Sequence, residues 1–183
     1  MEKLRIGMVG LRFGQHLIDS QIATGEGSAY FELAGVCDLD RDKAQAAASK
    51  YKVPVYASLD EMLKDETLSV IGLFTPPGGR ARMVRAAVRA GKHVLTTKPF
   101  EIDPAEAAAA LEEAKAAGKV VHLNSPAPLC PPDLAKFIQW QQQYLLGRAV
   151  SAEFSTSASY HEQADGSWYD DPVRCPVAPI MRL

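Results

Sequence analysis

The residues of this 183-residue chain that could do chemistry fall in three places. Gly10 and Gly14, with Arg12 and Phe13 between them, follow the apolar run Leu4–Val9 and precede a helical pattern at Phe13, Leu17, Ile18 and Ile22. A buried strand, a glycine turn and a helix N-terminus can bind a dinucleotide pyrophosphate, because the turn brings the backbone close and the free helix N–H groups favour phosphate oxygens. The G-x-G-x-x-G template counted from Gly10 asks for glycine where Arg12 and Gln15 stand, so only Gly10-x-x-x-Gly14 remains. A turn between any buried strand and any helix would read the same way. The second place is Asp38, at the end of the apolar run Phe31–Cys37. There a carboxylate can accept hydrogen bonds from ribose hydroxyls and repel a 2′-phosphate, which favours NAD over NADP. Its distance from Gly10 exceeds the usual ~20 residues, and the polar loop Thr24–Tyr30 supplies the excess. Capping of the next helix is the alternative role for Asp38, since Asp40, Arg41 and Asp42 follow. The third place is Lys98-Pro99, which on residue type alone reads as a solvated cation after a strand.

The elements that must position these groups alternate along the chain. Apolar runs at Leu4–Val9, Phe31–Cys37, Val53–Tyr56, Ser69–Phe74, Val94–Thr97 and Lys119–Asn124 predict six strands. The stretches between them carry helical spacing and start signals: Ser58 with Glu61, and Asp103-Pro104 with Glu106. Such alternation predicts an α/β fold, a doubly wound parallel sheet over residues 1–124. Thr75-Pro76-Pro77-Gly78-Gly79 ends the fourth run and can continue neither strand nor helix. The arginines of 80–89 read for the most part as a solvated helix face. At 125–132 the proline-rich SPAPLCPP predicts a linker. Beyond it, 133–144 reads as a helix, and the period-two pattern of 149–159 predicts a half-exposed antiparallel strand, the beginning of an α+β domain over 133–183.

Composition narrows the function classes. Hydrophobic residues make up 47% and charged residues 23%, and the net charge is −2, so neither a nucleic acid nor a membrane surface is an expected partner. No apolar run approaches the ~20 residues of a membrane span, and MEKLRIG lacks the apolar region of a secretion signal. Cys37, Cys130 and Cys175 are widely spaced with no C-x-x-C. They predict reduced thiols, a cytoplasmic address and no metal site.

Taken together, IGMVG at 6–10, VCDLD at 36–40, FTPPGGR at 74–80, AGKHVLTTKP at 90–99 and LGRAVSAEF at 146–154 resemble the glucose-fructose oxidoreductase / inositol dehydrogenase (Gfo/Idh/MocA) family. The resemblance runs over nearly the whole chain. Its most specific segment is A-G-K-H-V-L-x-x-K-P; the glycine turn is its least specific. It implies an NAD(P)-binding Rossmann domain followed by an α/β domain, and hydride transfer at a hydroxyl-bearing or carbonyl carbon of a sugar-like small molecule. It also implies homo-oligomerisation of the full-length protein. By the same resemblance, Lys98 is the catalytic lysine and touches the cofactor. Asp38 is the ribose-binding acid, Thr75 and Pro76 lie against the cofactor, and Pro99 follows a cis peptide. With the turn residues Gly10, Arg12, Phe13 and Gly14, these form the expected cofactor site, with NAD expected ahead of NADP.

Three departures bear on that expectation. Arg12 replaces a glycine and can either pair with a phosphate or block it; Arg80 stands where many members carry histidine; Thr97 replaces the glutamate before the lysine. The segment Trp168–Pro172 resembles the stretch preceding the helix that carries the family's remaining catalytic groups, and His161 does not substitute for them. The chain is therefore expected to be an N-terminal portion, weak in cofactor binding, inactive in hydride transfer by itself and frayed beyond Pro126. Trp168 and Tyr169 are expected to add apolar surface without a partner. Two rival readings stand beside the oxidoreductase. One is a dinucleotide-binding protein without catalysis. The other is an S-adenosylmethionine-dependent methyltransferase, whose prolines after the fourth strand would follow an amide or carboxylate rather than Thr75.

Overall fold

The computed structural model describes residues 2–124, 132–144, 147, 148, 150, 151, 153, 166 and 168–175. Strands β1 (Leu4–Val9), β2 (Phe31–Cys37), β3 (Val70–Leu73), β4 (His93–Thr96) and β5 (Val121–Leu123) form one sheet in the order β2-β1-β3-β4-β5. Every pairing is parallel. All four residues of β3 are buried, as expected of a central strand covered on both faces.

Side-chain alternation divides the core in two. Ile6, Met8 and Val70 point to the face covered by α1 (Phe13–Leu17), the π-helical turn Ile18–Ile22 that continues it, and α2 (Arg41–Tyr51). Val9, Ile71 and Leu73 point to the opposite face, where α4 (Arg80–Arg89) brings Val84, Ala87 and Val88 and α5 (Pro104–Ala116) brings Ala110 and Ala114. Small residues on α2 and α5 let those helices lie close to the sheet. The short α3 (Leu59–Leu63) buries Met62.

Helix starts follow from local chemistry. Asp40 accepts from Lys43 N, Ser58 from Glu61 N, and Asp103 from both Ala105 N and Glu106 N. Helix α4 has no side-chain cap of its own at Gly79. Glu101, from the loop after β4, takes that place by accepting from Gly79 N and Ala81 N. Across α4 and α5, Glu113 accepts from Arg85 and Arg89.

The strand expected over Val53–Tyr56 does not form. A single bridge joins Val55 to Val36, with Val36 N donating to Pro54 O and Tyr56 N to Val36 O. Pro54 has no N–H, so the ladder cannot extend through it, and among the described residues the sheet has five strands. The first helix is also less regular than its apolar spacing suggests, since Ala23 N donates five residues back to Ile18 O. Opposite Gly7, β2 places Gly35, after a bulge at Ala34. A Cβ at Gly35 would stand 2.2 Å from Tyr56 Cε2, so that glycine admits the Tyr56 ring across the strand.

Helix α6 (Pro132–Gln143) falls where a helix is expected, and it buries none of its residues. The linker residues 125–131, His161 and nearly all of the expected strand over 149–159 lie outside the described residues. Among the described residues no helix is long and apolar enough to cross a membrane, and no cluster of three potential metal ligands occurs.

Candidate functional site

The sheet order places the chain reversal between β1 and β3, the position where open α/β sheets bind ligands beyond their strand ends. A cleft of about 810 Å³ opens there, within the range of small-molecule sites. Gly10, Arg12, Phe13, Asp38, Thr75, Pro76 and Lys98 all line it. Gly14 does not. It is buried in α1, where a Cβ would meet Phe74 at 3.4 Å, so this glycine serves close packing of helix against strand.

The turn after β1 is held from two sides. Gly10 has φ +86° and donates its N–H to Cys37 O at 2.9 Å. A Cβ on it would lie 2.7 Å from Phe74 O, so glycine is required for both conformation and space. Leu11 N donates to Asp38 Oδ2 at 2.6 Å, and Asp40 N donates to Asp38 Oδ1 at 2.9 Å. Asp38 therefore ties the turn to the end of β2, while Asp40 caps α2; the capping alternative belongs to the neighbour. Burial of the Cys37 thiol, assisted by the Asp38 charge, pushes its pKa up, so it stays a neutral wall residue. Phe13 packs edge-on to Phe74, ring centres 6.0 Å apart, and leaves its ring partly exposed at the cleft with Arg12 and His16.

On the other side, the loops after β3 and β4 meet at one side chain. Arg80 is only 1% exposed. Its Nη1 donates to Thr97 O at 2.6 Å and to Pro99 O, and its Nη2 donates to Thr75 O. The Lys98–Pro99 peptide is cis, as the resemblance implies. Lys98 is half-buried at the cleft. Thr96 Oγ1 donates to Leu73 O at 2.7 Å and fastens the end of β4 to that of β3.

Sequence reasoning assigned the residues on the strand ends and overlooked others. The arginines of 80–89 read for the most part as a solvated face, and Arg80 is the exception: its side chain is buried under two loops. Its place directly after the Thr75–Gly79 breaker was the available signal. Trp168, expected to lack a partner, instead lines the cleft together with Arg174; no local pattern announces either. Lys43 and Met83 line it from the first turns of α2 and α4.

A dinucleotide fits this arrangement. Asp38 follows the edge strand β2 and Lys98 follows β4, three strand spacings away, or about 14 Å. An extended ligand lying across the strand ends would pass the glycine turn between them. The cationic side chains Arg12, Lys43 and Arg174 in the wall suit its phosphates.

Known proteins give the same architecture. The family described as "Oxidoreductase family, NAD-binding Rossmann fold" matches residues 4–125. A D-xylose 1-dehydrogenase (NADP(+)) of Haloferax volcanii is 34% identical over 88 residues, 48% of this chain and 27% of its own length. A solved NAD-binding protein from Listeria innocua is 25% identical with TM-score 0.64, covering 78% of this chain and 41% of its own. The UDP-N-acetylglucosamine 3-dehydrogenase of Acidithiobacillus ferrooxidans, also solved, is 25% identical with TM-score 0.63, covering 80% and 45%. The chain thus spans less than half the length of each of these relatives. Two-thirds of it, including the whole sheet and the cleft residues from Gly10 to Lys98, falls within the family match, and the chain belongs to the Gfo/Idh/MocA oxidoreductase family.

Proposed function

We propose that the cleft serves an NAD(P)-dependent oxidoreductase that transfers hydride at a hydroxyl or carbonyl carbon of a sugar, polyol or related small molecule, with NAD(H) preferred. The observation that carries this reading is that Asp38 and Lys98, which follow strands on either side of the chain reversal, line one cleft. The substrate class is supported by the D-xylose and UDP-N-acetylglucosamine dehydrogenases among the relatives. The NAD preference rests on the Asp38 carboxylate, which disfavours a 2′-phosphate.

A bound nicotinamide supplies the hydride acceptor or donor. Gly10 and the helix end at Arg12 and Phe13 would take the pyrophosphate, Asp38 the adenosine ribose, and Thr75 and Pro76 the nicotinamide side. Lys98 Nζ would hydrogen-bond the reacting oxygen. In oxidation the hydroxyl proton passes to Nζ as the carbon gives up its hydride; in reduction Nζ returns that proton to the oxygen. The same reading takes residues 1–124 as the nucleotide unit, a cytoplasmic address and a homo-oligomeric full-length protein.

Lys98→Met tests it. In the full-length protein, NADH binding, followed by fluorescence quenching, should change less than threefold, while turnover with D-xylose or a nucleotide sugar should fall at least a hundredfold. Absence of NADH binding by the unsubstituted chain would refute the reading. Equal, measurable turnover with and without Lys98 would remove the lysine from the chemistry; no turnover in the full-length protein with NADH bound would favour the non-catalytic binder.

A further inference from the structure

We infer that Arg80 is a positioning residue, setting the direction of Lys98 by holding the backbone on both sides of it; the inference rests on the proposed role of Lys98. The two carbonyls that accept from Arg80 Nη1 belong to Thr97 and Pro99, the residues immediately flanking Lys98. The lysine side chain is left to the cleft while its main chain is fixed at both ends. The other nitrogen, Nη2, donates to Thr75 O, so the loop carrying the lysine and the loop carrying Thr75 and Pro76 share one cation.

The hold is reciprocal. Glu101, three residues past Lys98, accepts from Gly79 N and Ala81 N, the amides on either side of Arg80. The start of α4 and segment 97–101 thus grip each other twice, once through the Arg80 side chain and once through the Glu101 side chain. Arg80 stands in the wall of the cleft, but at 1% exposure its guanidinium is engaged with three backbone oxygens. A planar guanidinium presents several N–H groups in fixed directions and can bridge three carbonyls from two loops. An ammonium is a compact donor on a flexible stem and cannot keep all three in the same geometry. A residue whose only task was to fill the core would have no need of that fork.

The test uses the 183-residue chain with its lysines reductively methylated with ¹³C-formaldehyde, the Lys98 signal being assigned by its loss in Lys98→Arg. In Arg80→Lys and Arg80→Met, the Lys98 dimethylamine resonance should move to the position of solvent-exposed lysines, while the signals of Lys43 and Lys50 stay in place. Where turnover is measured, kcat should fall tenfold or more in Arg80→Lys with KM for NADH changed less than threefold. An unmoved Lys98 signal in a variant that still melts cooperatively would overturn the inference, whether or not the chain turns over. Loss of folding in both variants would also overturn it, because Arg80 would then be a core residue only. A moved Lys98 signal in a chain without turnover would leave the positioning role standing and count against the proposed chemistry alone.

Discussion

Asp38 does two things with one carboxylate. Its oxygens accept from Leu11 N and Asp40 N, so it shapes the turn that would meet the pyrophosphate and also places a negative charge in the cleft. Replacing it with alanine would remove both effects at once. Asp38→Asn goes most of the way to separating them: the amide oxygen can still accept from Leu11 N while the charge is gone, at the cost of the bond from the exposed Asp40 N. The NADP/NAD affinity ratio should rise about tenfold, equivalent to about 1.4 kcal/mol, in competitive fluorescence titrations, with little change in melting temperature. An unchanged ratio would show that the carboxylate does not face the ribose 2′ position. The position of Asp38 could be read from the sequence, because an apolar run ending in an acid leaves few places for the acid to go. Its bond to Leu11 could not, because the partner lies 27 residues away. The burial of Arg80 was hidden for a similar reason. Arginine on an amphipathic helix ordinarily belongs to solvent, and only the convergence of two loops supplies enough carbonyls to take it inside.

The elements themselves were easier to foresee than their ends. Runs such as SVIGLF and VLTT are apolar without alternation, which is the mark of strands covered on both faces, and they form β3 and β4. Val53–Tyr56 carried the same β-branched signal, but Pro54 allows bonding on one edge only. What stands there is a bridge fixed by Tyr56, whose ring crosses Gly35 and whose hydroxyl donates to Asp65 Oδ2 at 2.5 Å. That hydrogen bond, with those from Thr67, lowers the Asp65 pKa to about 2, while burial and the Asp65 charge raise that of Tyr56 to about 12. The signs fix the pH range. Stability from the depressed carboxyl is in place above its ordinary value of 3.8 and is lost as pH falls towards 2. Stability from the raised phenol is in place below 10 and is lost as pH rises towards 12. Tyr56→Phe should therefore cost about 1 kcal/mol in urea unfolding at neutral pH, and the difference from the parent chain should narrow between pH 4 and pH 2. A pH-independent difference would mean that the ring, not the hydroxyl, carries the effect.

At the scale of the molecule, two kinds of surface adjoin. The Rossmann part has a buried core on each face of its sheet, whereas α6 buries none of its residues and leaves Phe137, Ile138 and Trp140 at 51%, 41% and 45% exposure. Chymotrypsin should therefore cut first at Phe137 or Trp140 and leave a resistant piece that contains the whole of 4–124, identifiable by mass spectrometry. Early cleavage inside 4–124 would show that the nucleotide unit does not stand by itself. The same sheet also has an outer rim at β2, and the bridge at Val36 bears on how separate copies of the chain meet. Its two hydrogen bonds to Pro54 and Tyr56 occupy the outward N–H and C=O of Val36. Farther down the strand, Glu32 pairs with Arg5 and keeps charge along the rim. A strand from another molecule seeking to join at β2 would find one end already bonded and the other charged, which are two of the ways natural sheets avoid edge-to-edge aggregation. The proline that keeps 53–56 from becoming a strand thus gives the sheet a stopped end, and with it some protection against polymerising through that side.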